Sequence, residues 1–267
     1  MNINWFPGHM KKTIERLKES SKLVDSVVEL LDARIPISSE NPIISEIFES
    51  KKMITVLNKE DLADEEVNRK WLEHFKSLGR EAYLLNSVDR SSMKKFISGI
   101  TSGGKTRTRI MIVGIPNVGK STLINTLSRR KGLKTGNRPG VTKTNQWLKT
   151  DFGIDLLDTP GVLWHKFEDR ETGINLALTG AIKDEILDTE ELAIILIKKL
   201  RERYPETIEN RFGIEISDKA DHEVLEEIGL KRGAIIKGGE VDYFKAANLL
   251  LNDYRKGIMG RISLEEV

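Results

Sequence analysis

The chain has 267 residues, 39% hydrophobic and 31% charged, with 43 Lys+Arg against 41 Asp+Glu for a net charge of +2. That hydrophobic content excludes an intrinsically disordered chain, and no run of residues is apolar and uncharged for long enough to span a bilayer. The absence of cysteine excludes disulfides, thiolate metal sites and cysteine nucleophiles, and four histidines with no close pair argue against structural zinc.

The elements follow in chain order. Residues 1–12 hold Trp5, Pro7, Gly8 and His9 and lack the apolar stretch of a secretory signal, so a cytoplasmic location is expected. Met10, Ile14, Leu17 and Val24 recur at helical spacing and predict an amphipathic helix over 9–22. Apolar runs at 27–31, 53–57, 83–85, 110–113 and 154–157 read as strands, with 146–150 as an edge strand. Between them the pattern predicts helices near 43–50, 64–78, 91–100 and 120–131, while 101–108 has linker composition. After residue 175 no strand is predicted. Leu192–Leu200, Val224–Ile228 and Val241–Tyr254 carry helical spacing instead. The expected fold is therefore α/β, a mostly parallel sheet with helical crossovers over 1–174, followed by a smaller all-helical domain over 175–267.

The small net charge conceals an asymmetry. Residues 101–150 contain 11 Lys+Arg and no Asp or Glu, whereas 175–267 contain 14 basic and 19 acidic residues. Within that acidic region, 228–261 reverses to 7 basic against 3 acidic. Ordinary solvated faces mix both signs, so a carboxylate-free strip points to a polyanion. The smaller basic cluster at 231–261 reads equally well as a solvated helix face. A single Gln, Gln146, beside many Lys, Glu and Arg is a composition seen in heat-adapted proteins.

Three motifs carry chemistry. Gly114-Ile115-Pro116-Asn117-Val118-Gly119-Lys120-Ser121 fits G-x-x-x-x-G-K-[ST] between a predicted strand and a predicted helix. Backbone N–H groups from Asn117, Val118, Gly119 and on into Ser121 and Thr122 would cradle phosphate oxygens at a helix N-terminus. Lys120 would reach the β- and γ-phosphates, and the Ser121 hydroxyl would ligate Mg²⁺. Asp158-Thr159-Pro160-Gly161 ends another strand, where Asp158 can hold Mg²⁺ through water and the Gly161 N–H can meet a γ-phosphate; alone, it is also an ordinary turn sequence. Between the two lies a Gly-, Thr- and Arg-rich segment in which Thr142, ahead of Thr135 and Thr144, is the candidate to close on Mg²⁺.

Asn58-Lys59-Glu60-Asp61 follows the strand at 53–57. The Asp61 carboxylate can accept from both the N1–H and the exocyclic amine of guanine, donors that adenine lacks. Asn58 can steady base and loop while the Lys59 stem packs on the base. Asn86 and Ser87, closing the next strand, would supply backbone near the base or form an ordinary turn.

The base-reading loop precedes the phosphate loop, the reverse of the order in most small GTP-binding proteins. Parallel strands release their loops along one edge whatever order the chain visits them. With Trp5-Phe6-Pro7-Gly8-His9-Met10, Asp32-Ala33-Arg34-Ile35-Pro36, Pro139–Thr142, Lys231-Arg232-Gly233 and Lys237–Asp242 added to these motifs, the chain resembles the YlqF/RbgA family of circularly permuted GTPases over nearly its whole length. The resemblance implies GTP hydrolysis to GDP and phosphate in late maturation of the large (50S) ribosomal subunit, with a C-terminal helical domain contacting rRNA. Neither a membrane nor DNA is an expected partner.

Many GTPases place Gln directly after the Asp-x-x-Gly turn to orient the attacking water. Here that position is Val162, which predicts slow unassisted hydrolysis and stimulation by the ribosomal partner. Lys120 and Thr142 are the catalytic candidates, joined by His9, whose imidazole could position water or serve as a cap. Related GTPases use the loop Asn to coordinate K⁺, the role the resemblance implies for Asn117. A GTP-dependent RNA-binding module with little turnover is the alternative that Val162 favours. An ATP-dependent kinase is disfavoured by Asn58–Asp61.

Overall fold

The computed structural model describes residues 9–101, 108–128, 147–150, 152–159, 161–164, 167 and 169–267, with the backbone alone described at 9–11 and 158. The first half alternates strand and helix: α1 (His9–Ser21), β1 (Ser26–Asp32), α2 (Pro36–Ser39), α3 (Pro42–Ile47), β2 (Lys52–Asn58), α4 (Glu65–Ser77), β3 (Glu81–Leu85) and α5 (Arg90–Thr101). Then come β4 (Thr108–Gly114), α6 (Lys120–Ser128), β5 (Trp147–Lys149), β6 (Ile154–Asp158) and α7 (Arg170–Leu178). The rest is helical: a 3₁₀ turn at Asp184–Ile186, α8 (Thr189–Arg203), α9 (Pro205–Phe212), α10 (Asp221–Lys231) and α11 (Tyr243–Arg255).

The strands form one six-stranded sheet in the order β3-β2-β1-β4-β6-β5, parallel throughout except for β5, which runs antiparallel to β6 at the edge. All seven residues of β1 are buried, as expected of a central parallel strand covered on both faces. Alternation divides its side chains. Val28 and Leu30 join Ile110, Ile112 and Leu156 beneath Leu123, Ile124 and Leu127 of α6, while Val27 faces Leu17 of α1 and Ile44 of α3. Leu31 packs on the other flank with Val67, Trp71 and Phe75 of α4. Helix α4 starts where Asp64 accepts from the Glu66 and Val67 backbone N–H groups, with acidic residues in its first turn and basic ones in its last, matching the helix dipole.

Register fixes where the site can form. Asp32 pairs with Asn58, Asn58 with Leu85, Leu30 with Gly114 and Ile112 with Asp158. The loops after β1, β2, β3, β4 and β6 therefore leave from one edge of the sheet.

The strands expected from sequence are all present, and among the described residues after 175 only an isolated Ile235–Val241 bridge is extended pairing. That bridge places Val241 ahead of α11 instead of within it. Helices α2, α7 and α9 were not expected. In α7 six consecutive residues, Gly173–Leu178, are buried, which erases the one-sided periodicity a surface helix shows. The expected division at 174/175 falls inside α7. One apolar cluster runs from β1 and β4 through Leu176, Leu196 and Ile228 to Leu250, Tyr254 and Ile262, so the helical part packs on the sheet part without a break in the core.

Candidate nucleotide site

Asn58 joins the base loop to the phosphate loop. Buried at the end of β2, its side-chain amide donates to the Val118 carbonyl at 2.7 Å while its oxygen accepts from the Ser87 hydroxyl at 2.6 Å. The Ser87 carbonyl in turn accepts from the Thr126 hydroxyl of α6 at 3.0 Å. One side chain thus ties together the loops after β2, β3 and β4. The phosphate loop is shaped for this approach: Gly119 has φ +106°, and a Cβ there would lie 2.3 Å from Asn58 Nδ2.

The lysine of the phosphate loop is buried. Lys120 Nζ donates to the Gly114 and Ile115 carbonyls at 3.0 and 2.6 Å, at the head of the loop. Gly161 packs against the same loop, because a Cβ on it would stand 2.8 Å from Pro116 and 3.0 Å from Lys120 Nζ. Its neighbours hold it there: the Thr159 hydroxyl donates to the Ile112 carbonyl at 2.6 Å, and the Val162 N–H donates to the Gly114 carbonyl at 3.2 Å. The Val162 side chain is buried among Leu17, Val27, Ile44, Phe48 and Val113, turned into the core. Its carbonyl accepts from the side-chain amide of Asn41, which also caps α3 by accepting from the Ile43 N–H.

Asn117 has φ 59°, a left-handed conformation that Asn tolerates better than most residues. Its amide nitrogen donates to the Gly180 carbonyl just beyond α7 at 2.7 Å. Ser121 and Thr122 open α6, both half-buried. The Asp158 backbone lies in register with Ile112 of β4. Thr142 lies outside the described residues, as do 102–107 and 129–146 of the basic strip at 101–150, and at His9 only the helical backbone is described.

On the base side, Asp61 is exposed at the tip of a tightly fastened loop. Lys59 has φ 60°, and its ammonium donates to Asp32 at 3.0 Å. Asp32 also receives both Nε and Nη2 of Arg34, at 2.9 and 2.8 Å. Burial by itself would raise the Asp32 carboxyl, but the Arg34 guanidinium and then the Lys59 ammonium overcome it and hold Asp32 well below the usual carboxylate range. For Lys59 the balance is the opposite: burial outweighs the attraction of Asp32 and lowers its pKa. Glu60 accepts from Ser92 at 2.8 Å, and the Ser92 hydroxyl accepts from the Asn86 N–H at 2.9 Å, so the loop after β3 braces the base loop.

The ion pair of Lys59 with Asp32 joins residues 27 positions apart and has no signal in the sequence; nor have the supporting contacts of Asn41 and Gly180, while Arg34 stands out only within the family-like Asp32-Ala33-Arg34.

A phosphate-loop motif and an Asn-Lys-x-Asp loop fastened to each other on the carboxyl edge of a parallel sheet, with the second preceding the first along the chain, are the arrangement of a circularly permuted P-loop GTPase. A family model described as 50S ribosome-binding GTPase matches residues 109–226, leaving the base loop ahead of the match, as permutation requires. The chain belongs to the ribosome biogenesis GTPase A family, the YlqF/RbgA GTPases. It is 43% identical to ribosome biogenesis GTPase A of Bacillus licheniformis, with 100% of this chain and 99% of the relative covered. It is 33% identical to that of Thermotoga maritima, with 98% and 94% covered. The crystal structure of GNP-bound YlqF from T. maritima superposes with a TM-score of 0.72 at 30% identity, covering 96% of this chain and 98% of that one. A GDP-bound YlqF structure gives 0.71 at 31% identity, covering 94% and 98%.

Proposed function

We propose that this GTPase binds guanine through Asp61 and phosphates through Asn117–Thr122 and Gly161, and hydrolyses GTP to GDP and phosphate during late assembly of the 50S ribosomal subunit. The observation that supports the site assignment is the Asn58–Val118 hydrogen bond, which sets base reader and phosphate loop at one fixed separation. The proposed division of labour gives residues 1–174 the nucleotide and 175–267 the RNA. Exposed Lys231, Arg232, Ile235, Ile236, Lys237, Phe244 and Lys245, around the loop joining α10 to α11, form a basic and apolar face suited to rRNA, whose affinity would fall steeply with salt.

The donors fit Mg²⁺. The described residues contain no group of three or more His, Cys, Asp or Glu, so the ion would take most ligands from phosphates and water, as Mg²⁺ does. Ser121, Thr142 and, through water, Asp158 would hold it, and it would neutralise charge on the β- and γ-phosphates. Lys120, already at the loop head, would turn from the Gly114 and Ile115 carbonyls to phosphate oxygens. With Val162 turned into the core, no side chain at that position can orient water, so unassisted turnover is slow and the ribosomal partner supplies what is missing. His9 is the water-positioning candidate, and a His9→Ala variant with full ribosome-stimulated turnover would remove it. K⁺ would meet the Asn117 oxygen, since the nitrogen is given to Gly180; turnover in K⁺ against Na⁺ buffer tests this.

The decisive experiment replaces Asp61 by Asn. The amide pairs with the carbonyl that xanthine carries in place of guanine's amine, so Asp61→Asn should lose GTP and gain xanthosine triphosphate. Unchanged GTP affinity would sink the assignment. A second reading, an RNA-binding module with little turnover, draws on buried Val162; single-turnover hydrolysis with and without large subunits separates the two.

A further inference from the structure

The loop that presents Asp61 is fastened by residues from the far end of the chain. Ile262 donates its N–H to the Leu62 carbonyl at 2.9 Å, the Ser263 hydroxyl accepts from the Asp64 N–H at 3.1 Å, and Leu264 donates to the Arg34 carbonyl at 2.9 Å. Glu265 closes this strap by accepting from the Ile37 and Ser38 N–H groups, the first at 2.7 Å. Ile262 is buried, so the strap has an anchor of its own. Arg261 is exposed and reaches around the loop: Nε donates to the Ala63 carbonyl at 2.7 Å, Nη2 to the Glu60 carbonyl at 2.9 Å, and Nη1 pairs with Glu65 at 3.1 Å.

We propose that Arg261 is a positioning residue for guanine recognition, its guanidinium tying the carbonyls of Glu60 and Ala63 on either side of Asp61 and so fixing the carboxylate that reads the base. The proposal rests on the assignment of Asp61 to guanine. The pairing with Glu65 does not account for the arrangement, because Glu65 is 87% exposed and such surface pairs contribute little. The two bonds to carbonyls are different: they are charge-assisted and directed by a rigid planar fork. They also act where the backbone is under strain, since Lys59 is held at positive φ two residues before Asp61. A carboxylate that must meet two guanine donors in one plane depends on the setting of its backbone, whereas the phosphate loop is held by bonds that do not involve Arg261, to Asn58 at the end of β2 and to Gly180. Losing Arg261 therefore weakens the reading of the base more than the grip on the phosphates.

The test compares GDP with inosine diphosphate, which lacks the exocyclic amine, by calorimetric titration of the full chain and of Asp61→Ala, Arg261→Ala and Arg261→Lys. The wild type should prefer GDP by about tenfold or more, the worth of one hydrogen bond to a charged group. Arg261→Ala should lose most of that preference, chiefly by weakening GDP, with its thermal midpoint kept by the buried Ile262 anchor. Arg261→Lys, with charge but no fork, should be intermediate. A wild-type GDP preference surviving in both Arg261 variants, or equal weakening of both nucleotides, would overturn the proposal. A preference surviving in Asp61→Ala would instead take down the assignment of Asp61 itself.

Discussion

Asn117 in the phosphate loop donates its side-chain amide to the carbonyl of Gly180, 63 positions further along the chain. The segment between Gly161 and Gly180 thus starts and ends on the phosphate loop, since Gly161 packs on Pro116 and Val162 is hydrogen-bonded to Gly114. Gly180 lies beside Arg255 of α11, which donates to the Ala177 and Leu178 carbonyls at the end of α7. These contacts give a change in the phosphate loop a route to the helical part, through Gly180 and the end of α7. On the proposed assignment of the helical part to rRNA, its affinity for rRNA should differ between GTP and GDP forms, and equal affinities would count against this route.

Substitution at Asn117 separates its two contributions. Asn117→Gly keeps the left-handed backbone and loses only the bond to Gly180. Asn117→Ala loses both, so it should be the less stable of the pair by about 1 kcal/mol. Urea denaturation of the two variants measures the difference, and equal midpoints would mean the backbone there is not strained.

Gly119→Ala should abolish tight binding of GTP and GDP alike. The new Cβ meets Asn58 Nδ2 at 2.3 Å on a backbone that L side chains rarely adopt, so either the loop or Asn58 must move. Losing the Asn58 bonds leaves the buried Val118 carbonyl and Ser87 hydroxyl without them, at about 1–3 kcal/mol for each unsatisfied group. Equilibrium binding of fluorescent GDP and GTP reads the effect; near-wild-type affinity for either would refute it.

Val162→Gln should not create an efficient GTPase. The side chain faces the cluster of Leu17, Val27, Ile44 and Phe48, so its amide would be buried without a partner at about 1–3 kcal/mol. The expected outcome is a lower melting temperature with no gain in unstimulated hydrolysis. A clear rise in that rate would show that the segment turns outward when GTP binds.

Glu29 in β1 makes stability depend on pH. Burial, and then the nearby Glu40, push its carboxyl up to about 8 against the opposing Asn41 N–H and Arg80. Between its ordinary value of 4.5 and about 8, the unfolded chain releases a proton that the folded chain keeps. This group therefore lowers stability as pH rises through that window and costs most above it. Glu29→Gln, which cannot ionise, should be more stable than wild type at pH 8 and converge with it towards pH 5. Parallel denaturation curves at the two pH values check the sign; an equal gap at both would place the effect elsewhere.

Much of the fold was legible because its signals are local. The apolar runs of β1, β2, β4 and β6 stand between turn residues, and the phosphate loop announces itself by glycines at fixed spacing. The rest is held by contacts that spacing cannot show. Nothing in the spacing around Arg34 shows that its guanidinium is fully buried, paired with Asp32 and 5.2 Å from the Tyr254 ring. Asn58 reads as steadying base and loop, and only its bond to Val118, 60 residues away, shows that it braces the phosphate loop as well. Helix α7 gives no one-sided pattern because its last six residues are all buried.

The sheet order has a bearing on how the protein is made. Strands β3, β2 and β1 come from one continuous stretch and β4, β6 and β5 from a later one, meeting only where β1 pairs with β4. During translation the first stretch leaves the exit tunnel with the apolar flank of β1 unpaired, a template for wrong partners until residues 108–114 emerge. The loop carrying Asp61 waits longer still: synthesised in the opening quarter, it gains its last fastenings only when Arg261, Ile262 and Ser263 are added. A chain cut short of that point would keep the Asn58–Val118 and Asn117–Gly180 bonds and lack those that Arg261 gives to the loop carrying Asp61.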